Sequence, residues 1–379
     1  MNNFTMYNPT KLHFGKGCCE KLGEKAKKLG NKALLIYGKN SIKKNGIYDL
    51  IVEQLGKNNM TYVEYGGIKS NPLNTDADEA VALGRDAKVD CVIAIGGGSV
   101  IDTAKMVAIC IPTDNKVWDF YQQKAVPQKS VPLIAVLTLA ATGSEMNGIA
   151  VLQNHETQQK FGYRSKYCFP MHSFLDPTFT FSVPANYTAY GVADLIAHSL
   201  EAYFGAGECT LSDRFCFSII SDAIYWSERL FKNLHDYDAR AAIMYDATMA
   251  LNGQIAYGKA NTDWGVHALG HNLSLLFDTP HGASLSIMYL AWMKHFKPTI
   301  EQKLIKLGKA VFNVETADEC INKFEEFFKA INTPTRLSEV NIFEKDFDKI
   351  IESFVHNRAT GYNIKITEKD YAPILKLAQ

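Results

Sequence analysis

Between residues 32 and 184 the chain alternates short apolar runs with amphipathic stretches, and this alternation restricts its fold more than any other feature. The runs at 33–37, 91–95 and 133–137 are apolar throughout, and a strand-like segment lies at 62–65. Helical periodicity fills 47–55, 75–87 and 99–111. Strands without a polar face need cover on both sides, which a parallel sheet between two helical layers supplies. Beyond Pro184 the strand-like runs vanish and helical spacing takes over, as at 193–204 and 213–231. The pattern predicts an α/β domain with a parallel sheet over 1–184 and an all-helical domain over 185–379. With 379 residues, each domain is long enough to build its own core.

Forty basic residues balance forty acidic ones, so no global field draws the chain to nucleic acid or to an acidic membrane. Its eight cysteines are scattered apart from the adjacent Cys18 and Cys19, with no C-x-x-C pair. That usage excludes a disulfide framework and suits a reducing cytosol. The first ten residues lack the apolar core of a signal peptide, and no apolar run is long enough to span a bilayer. A cytoplasmic protein is the expectation.

Chemistry first shows at Gly96-Gly97-Gly98-Ser99, where an apolar run turns into a helix. Glycines let backbone amides approach an anion, and the helix start adds its positive dipole end and open N–H groups. A diphosphate suits such a turn, although the motif is not G-x-G-x-x-G and a bare tight turn would carry the same glycines. After the run at 33–37 come Gly38, Lys39, Asn40 and Ser41, then Lys43 and Lys44. A carboxylate there commonly takes the ribose hydroxyls of NAD. Its absence, among small donors and lysines, favours the 2′-phosphate of NADP(H). Thr138, Thr142 and Asn147 follow the run at 133–137, where hydroxyls and an amide suit a ribose and a carboxamide.

The helical half carries a second signal. Asp194 and His198 lie four residues apart on one helix face, as do His267 and His271, and His281 follows. Three of the ten histidines thus fall between 267 and 281. Imidazoles with a carboxylate suit a divalent ion such as Fe²⁺ or Zn²⁺, and one ion would satisfy several buried polar groups together. Spacing leaves open which of His267 and His271 would bind it.

Together these motifs resemble the iron-containing (group III) alcohol dehydrogenases, and within them an NADPH-dependent butanol dehydrogenase branch. The likeness extends from Asn8 to beyond Trp292, most specifically over 96–105, 138–147, 194–198 and 263–282. It implies the dehydroquinate synthase-like architecture, NADP(H), and one divalent metal, iron ahead of zinc. Asp194, His198, His267 and His281 become the metal ligands, and His271 falls beside substrate and nicotinamide as a catalytic candidate. Gly97, Gly98, Ser99 and Asp102 match the diphosphate loop. Thr138, Thr142, Asn147 and Lys160 match ribose and nicotinamide contacts, and Asn71 another cofactor contact. Gly38 stands where NAD-preferring relatives carry an aspartate. A homo-oligomer, a dimer first, is the expectation by analogy. Leu139, Ala268, Ser284 and Leu290 depart from the family's usual residues, which bears on pocket shape.

The reaction so implied interconverts small aldehydes and primary alcohols, such as butanal and butanol. A glycerol-type polyol dehydrogenase would favour NAD. A dehydroquinate synthase-like lyase would need basic residues near the metal, and neither 194–198 nor 263–281 holds a Lys or Arg. A non-catalytic NADPH-binding or metal-storage protein would leave the metal and cofactor motifs both idle.

Overall fold

The structure, a computed structural model, describes residues 1–379. The chain divides into two compact units, Tyr7–Val183 and Pro184–Gln379 with Met1–Met6. The first six residues join the helical unit because the Asn2 amide donates to the Gly258 carbonyl at 2.8 Å and Phe4 stacks on Tyr257. Sequence periodicity carries no trace of that contact.

The α/β unit runs β1 (Lys11–Phe14), α1 (Leu22–Lys27), β2 (Lys32–Tyr37), α2 (Ser41–Lys44), α3 (Ile47–Lys57), β3 (Thr61–Tyr65) and α4 (Asn74–Asp86). It continues through β4 (Cys91–Gly96), α5 (Gly98–Cys110), α6 (Val117–Tyr121), β5 (Leu133–Leu137), β6 (Ile149–Asn154), β7 (Gln159–Arg164) and β8 (His172–Leu175). Six strands form one sheet in the order β1-β8-β5-β4-β2-β3, and every pairing in it is parallel. Alternate residues explain why the runs are wholly apolar. Leu35, Ile93, Ile95 and Val136 join one buried cluster with Leu22, Ile51 and Leu55 from α1 and α3. Leu34 faces the other way, close to the ground held by Gly84 of α4. Each such side chain contributes about 1.5–3 kcal/mol on burial, so both layers are needed.

Register sets the site. Tyr37 lies opposite Ile95, and Gly96 opposite Leu137, so β2, β4 and β5 end along one edge of the sheet. Successive strands run outward in opposite directions from the β2–β4 boundary, and such a switch point opens a crevice at the strands' carboxyl ends. Gly38, Gly97 and Thr138 follow these three strand ends. A separate antiparallel ribbon, β6–β7, packs on α5 and bridges to Leu73 just before α4. Its mixed, partly polar sequence gave no clear strand signal.

The helical unit holds α7 (Ala185–Phe204), α8 (Thr210–Leu230), α9 (Tyr237–Leu251), α10 (Gly265–Phe277), α11 (His281–Phe312), α12 (Ala317–Ala330), α13 (Phe347–His356) and α14 (Glu368–Leu377). Helix α7 is buried on nearly all sides from Thr188 onward and packs against α8, α9 and α11. It is apolar all round except for a few positions, and a central helix with polar exceptions invites the question of what those residues hold. No helix is long and apolar enough to cross a membrane.

Candidate functional site

Those exceptions are Asp194, His198 and Glu201. Spaced by four and three residues, they share one face of α7, and all are nearly fully buried. Two other helices bring imidazoles to that face. Trp264 caps α10 in the left-handed region (φ 65°), and this turn aims His267 of the first helical turn at α7. Asp278 ends α10, again left-handed, and Pro280 fixes the chain so that α11 opens on His281. At Gly282 the backbones touch: a β-carbon there would stand 2.0 Å from the Tyr190 carbonyl oxygen. Only glycine allows this approach, and it sets His281 beside Asp194.

The result is a convergence on one atom. Asp194 Oδ1 lies 3.5 Å from His198 Nε2, 3.7 Å from His267 Nε2 and 3.6 Å from His281 Nε2. Ligand atoms about 2.1 Å from a tetrahedral cation stand about 3.4 Å from one another. Each of the three separations from Asp194 Oδ1 is close to that value. Asp194, His267 and His281 form a group whose ligand atoms all lie within 4.8 Å of one another, and that group does not include His198. Neither Asp194 Oδ1 nor His267 Nε2 has a hydrogen-bond partner, although both are buried. Such orphans cost about 1–3 kcal/mol each, which a shared cation removes.

The electrostatics agree. Burial drives His198 down to about 4, so its ring is neutral and able to ligate. Burial also works against a charged His267, but Asp194 and Glu201 outweigh it and lift that ring to about 9. The two carboxylates thus attract positive charge to the cluster, and a divalent ion supplies it. This is a divalent-metal-binding site of Asp and His. His271 stands at its rim, half-buried, its ring centre 5.2 Å from that of His281 and 6.2 Å from that of His267. Trp264 walls the site, edge-on to His267 at 4.9 Å and to His198 at 6.0 Å.

Sequence reasoning missed Glu201. Its Oε1 accepts from His267 Nδ1 at 2.8 Å and from the His267 amide at 3.0 Å, and its Oε2 from the Trp264 amide at 2.5 Å. Its spacing of seven residues from Asp194 was the available signal. A lone glutamate among the alanines and aromatics that end α7 does not advertise a buried role.

In the α/β unit, the glycine turn and the 138–147 loop meet. A β-carbon on Gly98 would fall 2.4 Å from Thr142 Oγ1, and one on Gly97 would press on Leu139 at 3.2 Å. No side chain caps α5, so its opening amides face the crevice. The Ser99 hydroxyl donates to the Ser70 carbonyl, which draws in the loop carrying Asn71. Lys160 of β7 donates to Asn71 Oδ1 at 2.7 Å, so two residues 89 apart in sequence act as one pair.

Asp102 and Asn147, which the resemblance implied as cofactor contacts, are both hydrogen-bonded within the protein. Asp102 accepts from the Ser144 hydroxyl at 2.5 Å and from the Val151 amide at 2.9 Å. Asn147 Oδ1 accepts from buried Lys105 at 3.0 Å and from the Ile149 amide at 2.9 Å, while its Nδ2 donates to the Gly143 carbonyl at 2.8 Å. Both side chains hold the loop that follows β5. Thr138 is half-buried at the start of that loop, and Asn40 and Ser41 lie exposed at the start of α2.

Beyond β2, Gly38 is not imposed by packing. Its φ is not left-handed, and an added β-carbon would meet nothing nearer than 3.5 Å. The surroundings are less free of acid than the sequence suggested. Glu64, from neighbouring β3, accepts from the Tyr37 hydroxyl at 2.9 Å and lies 3.5 Å from Lys43 Nζ. Lys43 is therefore partly neutralised, and Lys39 is left exposed.

A dinucleotide cradle on a parallel sheet, with an Asp–His metal site on a helical unit, defines a metal-dependent oxidoreductase acting on CH–OH groups. Comparison with known proteins agrees. Residues 9–177 match the iron-containing alcohol dehydrogenase family, and residues 188–378 match the C-terminal region of the Fe-containing alcohol dehydrogenases. The chain belongs to the iron-containing alcohol dehydrogenase family. It is 38% identical to the probable NADH-dependent butanol dehydrogenase 1 of Bacillus subtilis, over 99% of each chain. It is 33% identical to the NADPH-dependent aldehyde reductase YqhD of Escherichia coli, over 97% of each. The crystal structure of an NADH-dependent butanol dehydrogenase A from Thermotoga maritima superposes with a TM-score of 0.97 at 38% identity, covering 100% of this chain and 99% of that one. Relatives named for NADH and for NADPH stand side by side. The likeness therefore carries the family and the reaction class, not the NADPH-dependent branch.

The close approach at Gly282 yields a prediction. Gly282→Ala should push the start of α11 off α7 and lower the metal retained after dialysis at least tenfold, measured by elemental analysis. Full occupancy in a folded variant would contradict the geometry.

Proposed function

We propose that the protein reduces small aldehydes to primary alcohols and catalyses the reverse oxidation, with butanal and butanol in its range. NADPH is the preferred nucleotide, and ferrous iron the preferred metal. The observation that carries the reading is the convergence of three imidazole nitrogens on one buried carboxylate oxygen. Neither α7 nor α10 contains a lysine or arginine, which supports a neutral substrate over a phosphorylated or carboxylated one.

Asp194, His198, His267 and His281 are the residues that would hold the ion, with one atom each. When bound, the nicotinamide supplies hydride and the ion supplies Lewis acidity toward the carbonyl oxygen. The amides of Gly98 and Ser99 bind the diphosphate at the start of α5. Asn71, Thr138, Thr142 and Lys160 orient the nicotinamide half, and Asp102 and Asn147 keep their loop in shape. Gly38 leaves room for a 2′-phosphate, with Asn40 and Ser41 as donors and Lys39 as its countercharge. Trp264 restricts water at the metal. The imidazole of His271 carries a proton to the product oxygen, as imidazole side chains do in general acid–base catalysis.

Three measurements check these roles. Protein stripped of metal should reduce butanal with NADPH at least 100-fold more slowly, and Fe²⁺ should restore the rate; undiminished turnover would refute the metal reading. The ratio kcat/KM should be about tenfold or more higher for NADPH than for NADH, and Gly38→Asp should reverse that order by setting a carboxylate against the phosphate. A preference for NADH in the wild type would overturn the nucleotide assignment. Replacing His271 with alanine should cut kcat about 100-fold and flatten its pH profile; an unchanged kcat and profile would exclude it as the carrier.

A further inference from the structure

The buried carboxylate of Glu201 has a role beyond filling the end of α7. Each of its oxygens is taken by the strand of chain that delivers His267: Oε1 by the ring Nδ1 and the backbone amide of His267, Oε2 by the amide of Trp264. An imidazole that gives one nitrogen to an ion keeps its single proton on the other. A carboxylate can only accept, so at 2.8 Å it places that proton on Nδ1. The lone pair is then left on Nε2, the atom 3.7 Å from Asp194 Oδ1. The same carboxylate fixes ring direction, because it also anchors the two backbone amides from which the ring hangs. Trp264 is held in the left-handed region, which a non-glycine residue occupies only at some cost, so without this anchor it would relax and swing the start of α10.

We propose that Glu201 is the positioning residue of the metal centre, setting both the tautomer and the aim of His267. The proposal rests on the reading of this cluster as a metal site and names no ligand beyond that set. Neighbouring Asp263 is excluded from the role: its carboxylate accepts from the amides of Gly265, Asn363 and Ile364, and so ties down the 361–364 segment. Carboxylate partners of ligating histidines typically change metal affinity about 10–100-fold when removed.

The test is Co²⁺ binding to the metal-stripped full chain, followed by chelator competition and by the visible ligand-field spectrum, with melting of the metal-free proteins run in parallel. Glu201→Ala should weaken Co²⁺ binding about 10–100-fold and alter the spectrum. Glu201→Gln keeps an oxygen for Nδ1–H but sets an amide against the Trp264 N–H, so it should fall between alanine and wild type. A merely structural role would lower the melting temperature of the metal-free protein and leave Co²⁺ affinity and spectrum of the folded fraction untouched, which would overturn the proposal. Should the alanine variant fail to fold, the glutamine variant decides: wild-type affinity and spectrum overturn the proposal. Failure of the wild type itself to bind Co²⁺ would refute the metal reading, and the proposal with it.

Discussion

One oxygen atom, Asp194 Oδ1, organises the helical unit. Without an ion, three imidazoles and a carboxylate gathered in a dry interior leave polar atoms unmatched, and an orphaned buried charge is among the more expensive faults a fold can carry. With a divalent cation the same arrangement becomes a closed set of donors. Three helices are shaped to make that possible. The central helix is buried on all sides yet spends a row of positions on Asp194, His198 and Glu201, and the long helix opening at His281 comes near enough only because Gly282 has no side chain. The left-handed Trp264 and Asp278 bracket the third helix and set its start and stop.

The α/β unit answers to a different constraint, that of presenting bare backbone to an anion. Its strands end in register, so the glycine turn after one and the threonine-bearing loop after its neighbour fall side by side, and Thr142 occupies the space that a side chain on Gly98 would need. Much of the polar chemistry nearby is internal scaffolding. Lys105, fully buried, reaches Asn147 and the Ile149 carbonyl, and Asp102 takes a hydroxyl and an amide of the same region. These bonds tie the loop after β5 to α5 and β6.

What the sequence reveals follows from how far each signal reaches. Strands 33–37, 91–95 and 133–137 were legible because burial on both faces leaves no polar residue to blur them. Helix geometry likewise made Asp194 and His198 legible as one face, but left His267 and His271 unsorted. Lys160 and Asn71 looked like separate contacts, since nothing local announces a pairing across a crossover and a ribbon. Asp102 and Asn147 have the chemistry of cofactor ligands, and spacing does not announce their bonds to Ser144, Val151, Lys105 and Ile149. Glu64 was invisible as a partner of Tyr37 and Lys43 because adjacency across a sheet depends on strand order, which spacing along the chain does not fix. Glu201 carries the most weight among the missed residues and had the faintest signal: one charge, one turn beyond a histidine.

The measurement closest to the centre of this account is X-ray absorption at the iron edge on Fe²⁺-loaded protein, with single alanine replacements of His198, His267 and His281 as comparisons. The account predicts outer-shell scattering from three imidazoles in the wild type and from one fewer in each variant, with the remaining near neighbours light oxygen or nitrogen atoms at about 2.0–2.2 Å. A shell of oxygen alone, or a wild-type imidazole count that none of the three replacements lowers, would contradict it.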